Sequence, residues 1–449
     1  MMTWEQLLSA KRLGQEDRFI KAEAIKARSE FQRDYDRIIF SAAFRRLQDK
    51  TQVFPLPGSI FVHNRLTHSL EVASVGRSLG SMVSEKLSAN SECFDQSLIY
   101  EIRSIVSAAC LAHDLGNPPF GHSGETSIST YFSEGNGREL QSKMTPEEWN
   151  DFIHFDGNAN AFRLLSHQFN GRREGGFALT YSTLASIVKY PFESVNVKKN
   201  KFGFFQSDKE IYVKIANELG LKQIENSPIR HFRHPLVYLV EAADDICYQI
   251  MDVEDAHKLG ILKTEETCQL FRNFFDPVLD KDRHNSFDKT LKIVTDNNEQ
   301  IAYLRASVIG KLINECATVF LENQDKILQG TYKSSLFKDL PTTSRKAMDK
   351  IQEISFQKIY QSRPVVEIEI AGQRIINTLL EEFIDARLSP KRSLSEKLNY
   401  LVPQQYHAPE DSSVYAKIQS IVDFVSGMTD DYALNLYRKI SGISLPKIV

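Results

Sequence analysis

Apolar residues in this chain recur at spacings of three and four over long windows, a period that builds helices and few strands. From His68 one stripe runs through Val72, Val75, Leu79 and Met82, and another runs from Leu236 through Val240 and Ala243 to Met251. Between them, Ile105 to Ala112 is a compact apolar run, too rich in small residues for a strand. Pro235 stands just before the Leu236 stripe, where the first turn of a helix has no use for the missing N–H. Further helices are expected at Ile301 to Phe320 and at Tyr415 to Ile440. Convincing strand-like alternation is confined to Val365–Ile370, with a weaker hint at Gln52 to Phe61. The expected fold is all-α, a helical bundle with additional peripheral helices and at most a small β-element.

At 449 residues the chain has room for a large core and more than one domain. A formal net charge of -3 supplies no strong positive field to attract nucleic acid or a membrane surface. The five cysteines, Cys93, Cys110, Cys247, Cys268 and Cys316, are odd in number and contain no CxxC pair. A disulfide framework or a structural zinc site is therefore not expected, and the usage suits a reducing compartment. Met1 to Arg18 has no apolar stretch that could act as a signal peptide. No run approaches the roughly 18 apolar residues of a spanning helix, so a cytoplasmic protein is expected. Pro191 to Lys209, rich in Lys, Asn, Gly and Ser, is expected to be a mobile loop, and Gln329 to Lys350 an irregular connection or a helix with loops. No Walker-type glycine loop is present, which argues against P-loop phosphoryl transfer.

Chemistry concentrates on the helical stripes. His113 and Asp114 stand side by side at the end of an apolar helix that Pro118 and Pro119 must stop. Alone the pair is as consistent with a helix-terminal hydrogen bond as with a metal site. His68 heads the first stripe, and Asp244 lies inside the third, where an unpaired carboxylate is costly. Each of three helices thus brings a metal-capable group to its buried face. His68, His113, Asp114 and Asp244 make four ligands, leaving open positions of the kind that mark a catalytic ion. Two imidazoles and two carboxylates suit a divalent ion such as Mn, Fe, Co, Ni or Zn better than an all-oxygen Mg site, although Mg can still support turnover. His122 and Glu125, three apart at a helix start, share a face, where a carboxylate raises and orients an imidazole. The plain alternative is a surface salt bridge. Asp244, Tyr248 and Asp252 are spaced by four and line one face. The alternatives there are core packing for Tyr248 and a solvated helix end for Asp252. Lys198, Lys199 and Lys201 form a cluster that reads most simply as a solvated loop, and Asn158 and Asn160 read most simply as helix caps.

The order His…His-Asp…Asp resembles the HD superfamily of phosphohydrolases. Four stretches narrow the resemblance to its deoxynucleotide triphosphohydrolase branch, the dGTPase family: Phe44 to Phe54, Asn64 to Glu71, His113 to Glu125, and Glu241 to Tyr248. Gly427-Met428-Thr429-Asp430 is similar again, whereas Asp431 departs from the family pattern, which puts local contacts of the last helix in doubt. The resemblance implies an HD-type bundle and a metal-dependent triphosphohydrolase that uses Mg or Mn, or Fe, Co, Ni or Zn. It implies that His122 and Glu125 form a catalytic dyad and that Arg65 and Lys189 contact phosphate. It also implies that Tyr248 packs under a deoxyribose while Gln52 and Asp252 hydrogen-bond its 3′-hydroxyl. A dNTP substrate, preferably dGTP, a homo-oligomer such as a hexamer, and a nucleotide or single-stranded DNA effector follow as expectations, with no membrane partner. The expected organisation is an N-terminal segment at 1–62 carrying Gln52, an HD core at 63–260, and a C-terminal helical region at 261–449 that supplies the subunit interface. The competing functions are an HD enzyme for another nucleotide phosphate ester and a non-catalytic nucleotide or single-stranded DNA binding module. The first predicts loss of Gln52, Tyr248 and Asp252, and the second predicts a broken ligand set, and neither loss occurs.

Overall fold

The computed structural model describes residues 1–17, 28–54, 62–89, 96–197 and 200–445. Helix α1 (Glu30–Ile39) starts at a capping box in which the Ser29 hydroxyl accepts from Gln32 N and the Gln32 side chain accepts from Ser29 N. Helix α2 (Arg65–Ala89) buries His68, Val72, Val75, Leu79 and Val83 on one stripe. Helix α3 (Ile102–Ala112) is buried along almost its whole length because α1 and α2 both pack on it. The crossing of α2 and α3 is close: a Cβ on Gly76 would stand 2.4 Å from Cys110 Sγ. Helices α4 (Gly121–Ser133) and α5 (Gly157–Ser166) follow the Pro118-Pro119 turn. A small antiparallel hairpin, β1 (Gln223–Asn226) with β2 (Ile229–His231), precedes α6 (Val237–Lys258). Helix α6 packs on α2 and on α7 (Asn297–Glu322). The C-terminal part is built on α8 (Arg363–Leu388), α9 (Val414–Ser426) and α10 (Asp430–Ile440).

Buried apolar side chains form two clusters. One joins the N-terminal residues, α2, α3, α6 and α7. The other joins Phe120, Ile128, Phe132 and Phe152 to α8, α9 and α10. The all-α expectation holds, with the hairpin as the small β-element.

Four local expectations need correction or restriction. Val365–Ile370 is the first turns of α8, not a strand: Val365, Ile368 and Gly372 face inward at spacings of three and four, while Val366 and Ile370 are exposed. Pro364 sits in the first turn, where helices tolerate it. Tyr415 to Ile440 is two helices, broken at Gly427–Thr429, where Thr429 caps α10 by accepting from Tyr432 N at 3.2 Å. The described part of Pro191 to Lys209, residues 191–197 and 200–209, is anchored rather than loose: Phe202, Phe204 and Phe205 are fully buried, and Phe192 bridges to Arg230 of β2. Of the hint at Gln52 to Phe61, residues 55–61 lie outside the described residues, 52–54 form no strand, and Thr51 just before them makes an isolated bridge to Asn64. The span from Gln329 to Lys350 is, as expected, a connection running into a helix, Thr342–Ile354.

Candidate active site

The metal-capable residues converge. Ligand atoms of His68, His113 and Asp114 lie within 4.8 Å of one another. Asp244 Oδ1 stands 3.2 Å from His68 Nε2 and 3.4 Å from His113 Nε2. His113 Nδ1 is 2.6 Å from the Cys110 carbonyl, a contact that fixes the proton on Nδ1 and turns Nε2 inward. That Nε2 is buried and has no well-formed hydrogen bond. Burial depresses the His113 imidazole, yet the Asp114 and Asp244 carboxylates override it and lift it to about 9. Burial likewise pushes Asp244 up, and His113 and His68 outweigh it, so Asp244 sits well below the usual range. The centre therefore favours positive charge at these donors, and two imidazoles with Asp114, and Asp244 against both imidazoles, are a donor set that fits a divalent cation.

Arg65 opens α2 and donates from Nη1 to Asp114 Oδ2 at 2.7 Å, while Asn117 Nδ2 donates to Asp114 Oδ1. Asp114 is thus held below its usual range against the push of burial, chiefly by Arg65. The start of α2 is tied to α6 by His63, whose backbone N–H and Nδ1 meet Asp255 at 2.8 Å and 2.9 Å, and whose Nε2 lies 3.2 Å from Glu71.

His122 and Glu125 sit on the first turn of α4 with Nδ1 and Oε2 2.9 Å apart. The His122 side chain is exposed, while Glu125 is buried. Glu125 Oε1 accepts the Gly157 N–H at 2.7 Å, and Lys201 Nζ reaches Oε2 at 3.5 Å and Asp156 Oδ1 at 3.0 Å. Burial pushes the Glu125 carboxyl up, but His122, Lys201 and the Gly157 N–H bring it to about 2. The hydrogen bond to Glu125 in turn raises His122 above its ordinary value. Glu125 is thus a buried carboxylate with two partners besides His122, which a simple surface pair does not have. Arg65 links the two groups, since its charge acts on both Asp114 and His122.

On α6, Tyr248 is half-buried and stacks on Tyr360 at 6.2 Å, and the Tyr360 hydroxyl donates to Asp252 Oδ2 at 2.8 Å. Asp252 is not on a solvated helix end: it, Glu254 and Asp255 are all buried. Burial raises the Asp252 carboxyl to about 8. Gln52 is half-buried, and its Oε1 is a buried acceptor without a partner. Lys189 pairs with Glu241 at 3.1 Å. The structure therefore gathers His68, His113, Asp114, Asp244 and Arg65 into one cluster and His122 with Glu125 into a second beside it. Among the described residues Gln52, Lys189 and Asp252 form no hydrogen bond or ion pair with either cluster. Asn160 donates to the Gly116 carbonyl at 2.7 Å and to Ser426 Oγ, a packing role rather than a cap, whereas Asn158 N meets the cap residue Asp156.

Three contributors escape sequence reasoning. Tyr360 lies 108 residues beyond Asp252, with no local signal to join them. Lys201 was hidden in an ordinary lysine cluster, and its neighbours Lys198 and Lys199 lie outside the described residues. Asn117 was visible within the His113 motif, where a short polar residue three after an acid on a turn is a signal for a side-chain contact.

Among the described residues no helix is long and apolar enough to cross a membrane. Two family models match the chain, an HD domain over residues 65–257 and a phosphohydrolase-associated domain over residues 339–439. A deoxyguanosinetriphosphate triphosphohydrolase-like protein of Synechocystis sp. is 38% identical, covering 99% of this chain and 100% of its own length. A protein of the same description from Pseudomonas aeruginosa is 37% identical, covering 99% and 100%. The deoxyguanosinetriphosphate triphosphohydrolase of Yersinia enterocolitica is 29% identical, covering 91% and 93%. With His68, His113 and Asp114 brought together and full-length identity at this level, the chain belongs to the HD-domain family of deoxyguanosinetriphosphate triphosphohydrolase-like enzymes.

Proposed function

We propose that this enzyme hydrolyses deoxynucleoside triphosphates at the α-phosphorus, releasing a deoxynucleoside and inorganic triphosphate. dGTP is the first substrate to test because the relatives carry it in their names. The observation that carries the reading is the buried His113 Nε2, without a well-formed hydrogen bond and facing Asp244, Asp114 and His68, beside an exposed imidazole backed by a buried carboxylate. His68, His113, Asp114 and Asp244 would hold a divalent ion, which supplies Lewis acidity toward phosphate oxygen and water. His122 exchanges a proton with the attacking water or the leaving 5′-oxygen, and Glu125 orients its ring and stabilises the imidazolium. Arg65 and Lys189 supply positive charge to the phosphates. Tyr248 closes the space beneath the sugar, while Gln52, whose Oε1 lacks a partner, and Asp252 bond the 3′-hydroxyl. Assembly into a homo-oligomer belongs to the same reading, supported by the exposed apolar side chains Leu394, Tyr400 and Leu445 in the C-terminal region. A nucleotide or single-stranded DNA effector also belongs to it.

The test incubates purified protein with each dNTP and with GTP, in Mg, Mn, Fe, Co, Ni or Zn, and identifies products by chromatography. Deoxynucleoside plus triphosphate, lost in His122→Ala and Asp244→Ala and absent with GTP, supports the reading. Release of diphosphate or monophosphate, or equal turnover of GTP, overturns it. If no dNTP is turned over, with or without single-stranded DNA added, a binding module takes its place.

A further inference from the structure

The Gly427-Met428-Thr429-Asp430 corner joins α9 to α10 in the C-terminal part, far in sequence from the residues that do chemistry. Thr429 already caps α10, so the Asp430 carboxylate is free to face another partner. Both its oxygens accept main-chain N–H groups from elsewhere in the chain: Oδ1 from Phe120 and Oδ2 from Thr51, each at 2.9 Å. These two amides belong to the two segments that carry functional side chains. Thr51 precedes Gln52, and Phe120 stands two residues before His122.

The backbone at Phe120 needs support. Its φ of 63° is left-handed, as is the 59° of Gly121 after it. Such a conformation at a residue with a side chain persists where surrounding structure fixes it. Gly121 is seated so closely that a Cβ there would lie 2.6 Å from Arg65 Nη2 and 3.7 Å from the Thr51 carbonyl. The same corner is braced once more by Lys50, whose buried Nζ donates to the Asn117 carbonyl at 2.5 Å and to the Ser426 carbonyl at 2.9 Å.

We propose that Asp430 is a positioning residue of the active site, its carboxylate clamping the Thr51 and Phe120 amides so that Gln52 and His122 are presented to one substrate. The inference rests on the roles given to Gln52 and His122 under the proposed function. Among the described residues Asp430 forms no hydrogen bond or ion pair with His68, His113, Asp114 or Asp244. An alternative in which Asp430 only complements the dipole of α10 changes stability and leaves kinetics untouched.

The experiment compares wild type, Asp430→Asn and, as a control on the neighbouring exposed carboxylate, Asp431→Asn. An Asn side chain has one acceptor oxygen, and its NH2 group would face an N–H, so one of the two bonds is lost. The expected result is a kcat lower by about 10- to 100-fold and a raised KM in Asp430→Asn, the size a displacement near 1 Å produces. Mn affinity without substrate is unchanged, because His68, His113, Asp114 and Asp244 are not moved, and Asp431→Asn matches wild type. Combined with Gln52→Ala, the KM effect is smaller than the product of the two single effects, as for residues acting through one contact. Values of kcat and KM within twofold of wild type in Asp430→Asn, or KM effects that multiply independently, overturn the proposal. Hydrogen exchange of wild-type protein decides the clamp without any variant or turnover. Slow exchange at the Thr51 and Phe120 amides supports it, and exchange at the rate of free loops overturns it. Absence of wild-type turnover counts against the substrate reading alone.

Discussion

Glu125 and Asp252 are both buried, and burial pushes each carboxyl up, yet they end on opposite sides of the ordinary range. Partners make the difference. Glu125 meets an imidazole, an ammonium and a backbone N–H, whereas Asp252 meets the Tyr360 hydroxyl. For Glu125→Gln the charge that raises His122 disappears while Lys201 still opposes it, so the imidazole's proton affinity falls. The limb of the kcat profile that belongs to His122 should move to lower pH, with kcat reduced on the order of 10²-fold, the usual weight of one acid–base group. A Glu125→Gln profile that superimposes on wild type refutes the dyad. For Asp252 the folded value lies above the unfolded one, so its stability contribution is fully present below about pH 4 and is lost as pH rises to about 8. Asp252→Asn cannot ionise, so its melting temperature should gain on wild type between pH 5 and pH 8. A constant offset between the two melting curves across that range would show that Asp252 does not titrate there. The His122–Glu125 pair was legible in sequence as a spacing of three, and His68, His113, Asp114 and Asp244 as polar groups on apolar stripes. Tyr360 and Asp430 were not, because their partners come from segments that only folding brings near.

Helix starts do much of the placing. The first N–H of α5 goes to Glu125, and the same residue, Gly157, lies between Glu125 and the loop of Asp114 and Asn117. A Cβ on Gly157 would stand 2.2 Å from Asn117 Oδ1 and 2.6 Å from Glu125 Oε1. Gly157→Ala should therefore push on the Asn117 contact to Asp114 and on the Glu125 contact to His122 together. The expected cost is about 1–3 kcal/mol of stability from overpacking. A loss of kcat near 10²-fold should accompany it, because displacements near 1 Å are enough for that. Urea titration and steady-state kinetics read the two effects; native kcat in a folded Gly157→Ala enzyme would show that α5 does not set the site. Helices were the most legible elements, since a stripe such as His68 to Met82 repeats for several turns. Val365–Ile370 misled because the alternation is only six residues long, and the helical spacing shows only when Gly372 and Ile375 are counted with it. The break after Ser426 was missed because Gly427 and Thr429 are a weak stop signal between two strongly apolar stripes.

At the scale of the molecule, the two apolar clusters are joined across their boundary by charge as well as by packing. Arg163 on α5 holds Asp423 on α9 through two bonds of 2.7 Å, from Nε and Nη2, and meets Asp208 at 3.0 Å through Nη1. All three side chains are almost wholly buried. No sequence pattern announces this group, because its members are 45 and 260 residues apart. A buried ion group adds little over a well-packed apolar replacement, but removing one member strands the others. Arg163→Met should thus cost about 3–5 kcal/mol, by leaving Asp423 without its cation and Asp208 with His167 alone, at 3.2 Å. In the wild type, burial pushes Asp208 up and Arg163 outweighs it, holding Asp208 below its usual value. Without Arg163 only His167 still opposes burial, so Asp208 takes up a proton more readily than in the wild type. The sign follows: the deficit of Arg163→Met relative to wild type is largest at neutral pH and shrinks as pH falls and protons neutralise the stranded carboxylates. Adding Asp423→Asn and Asp208→Asn to Arg163→Met should recover part of the loss at neutral pH. Urea unfolding of the three proteins at pH 7 and pH 5 tests this, and a deficit that grows on acidification would mean that the group stabilises the joint by packing rather than by charge.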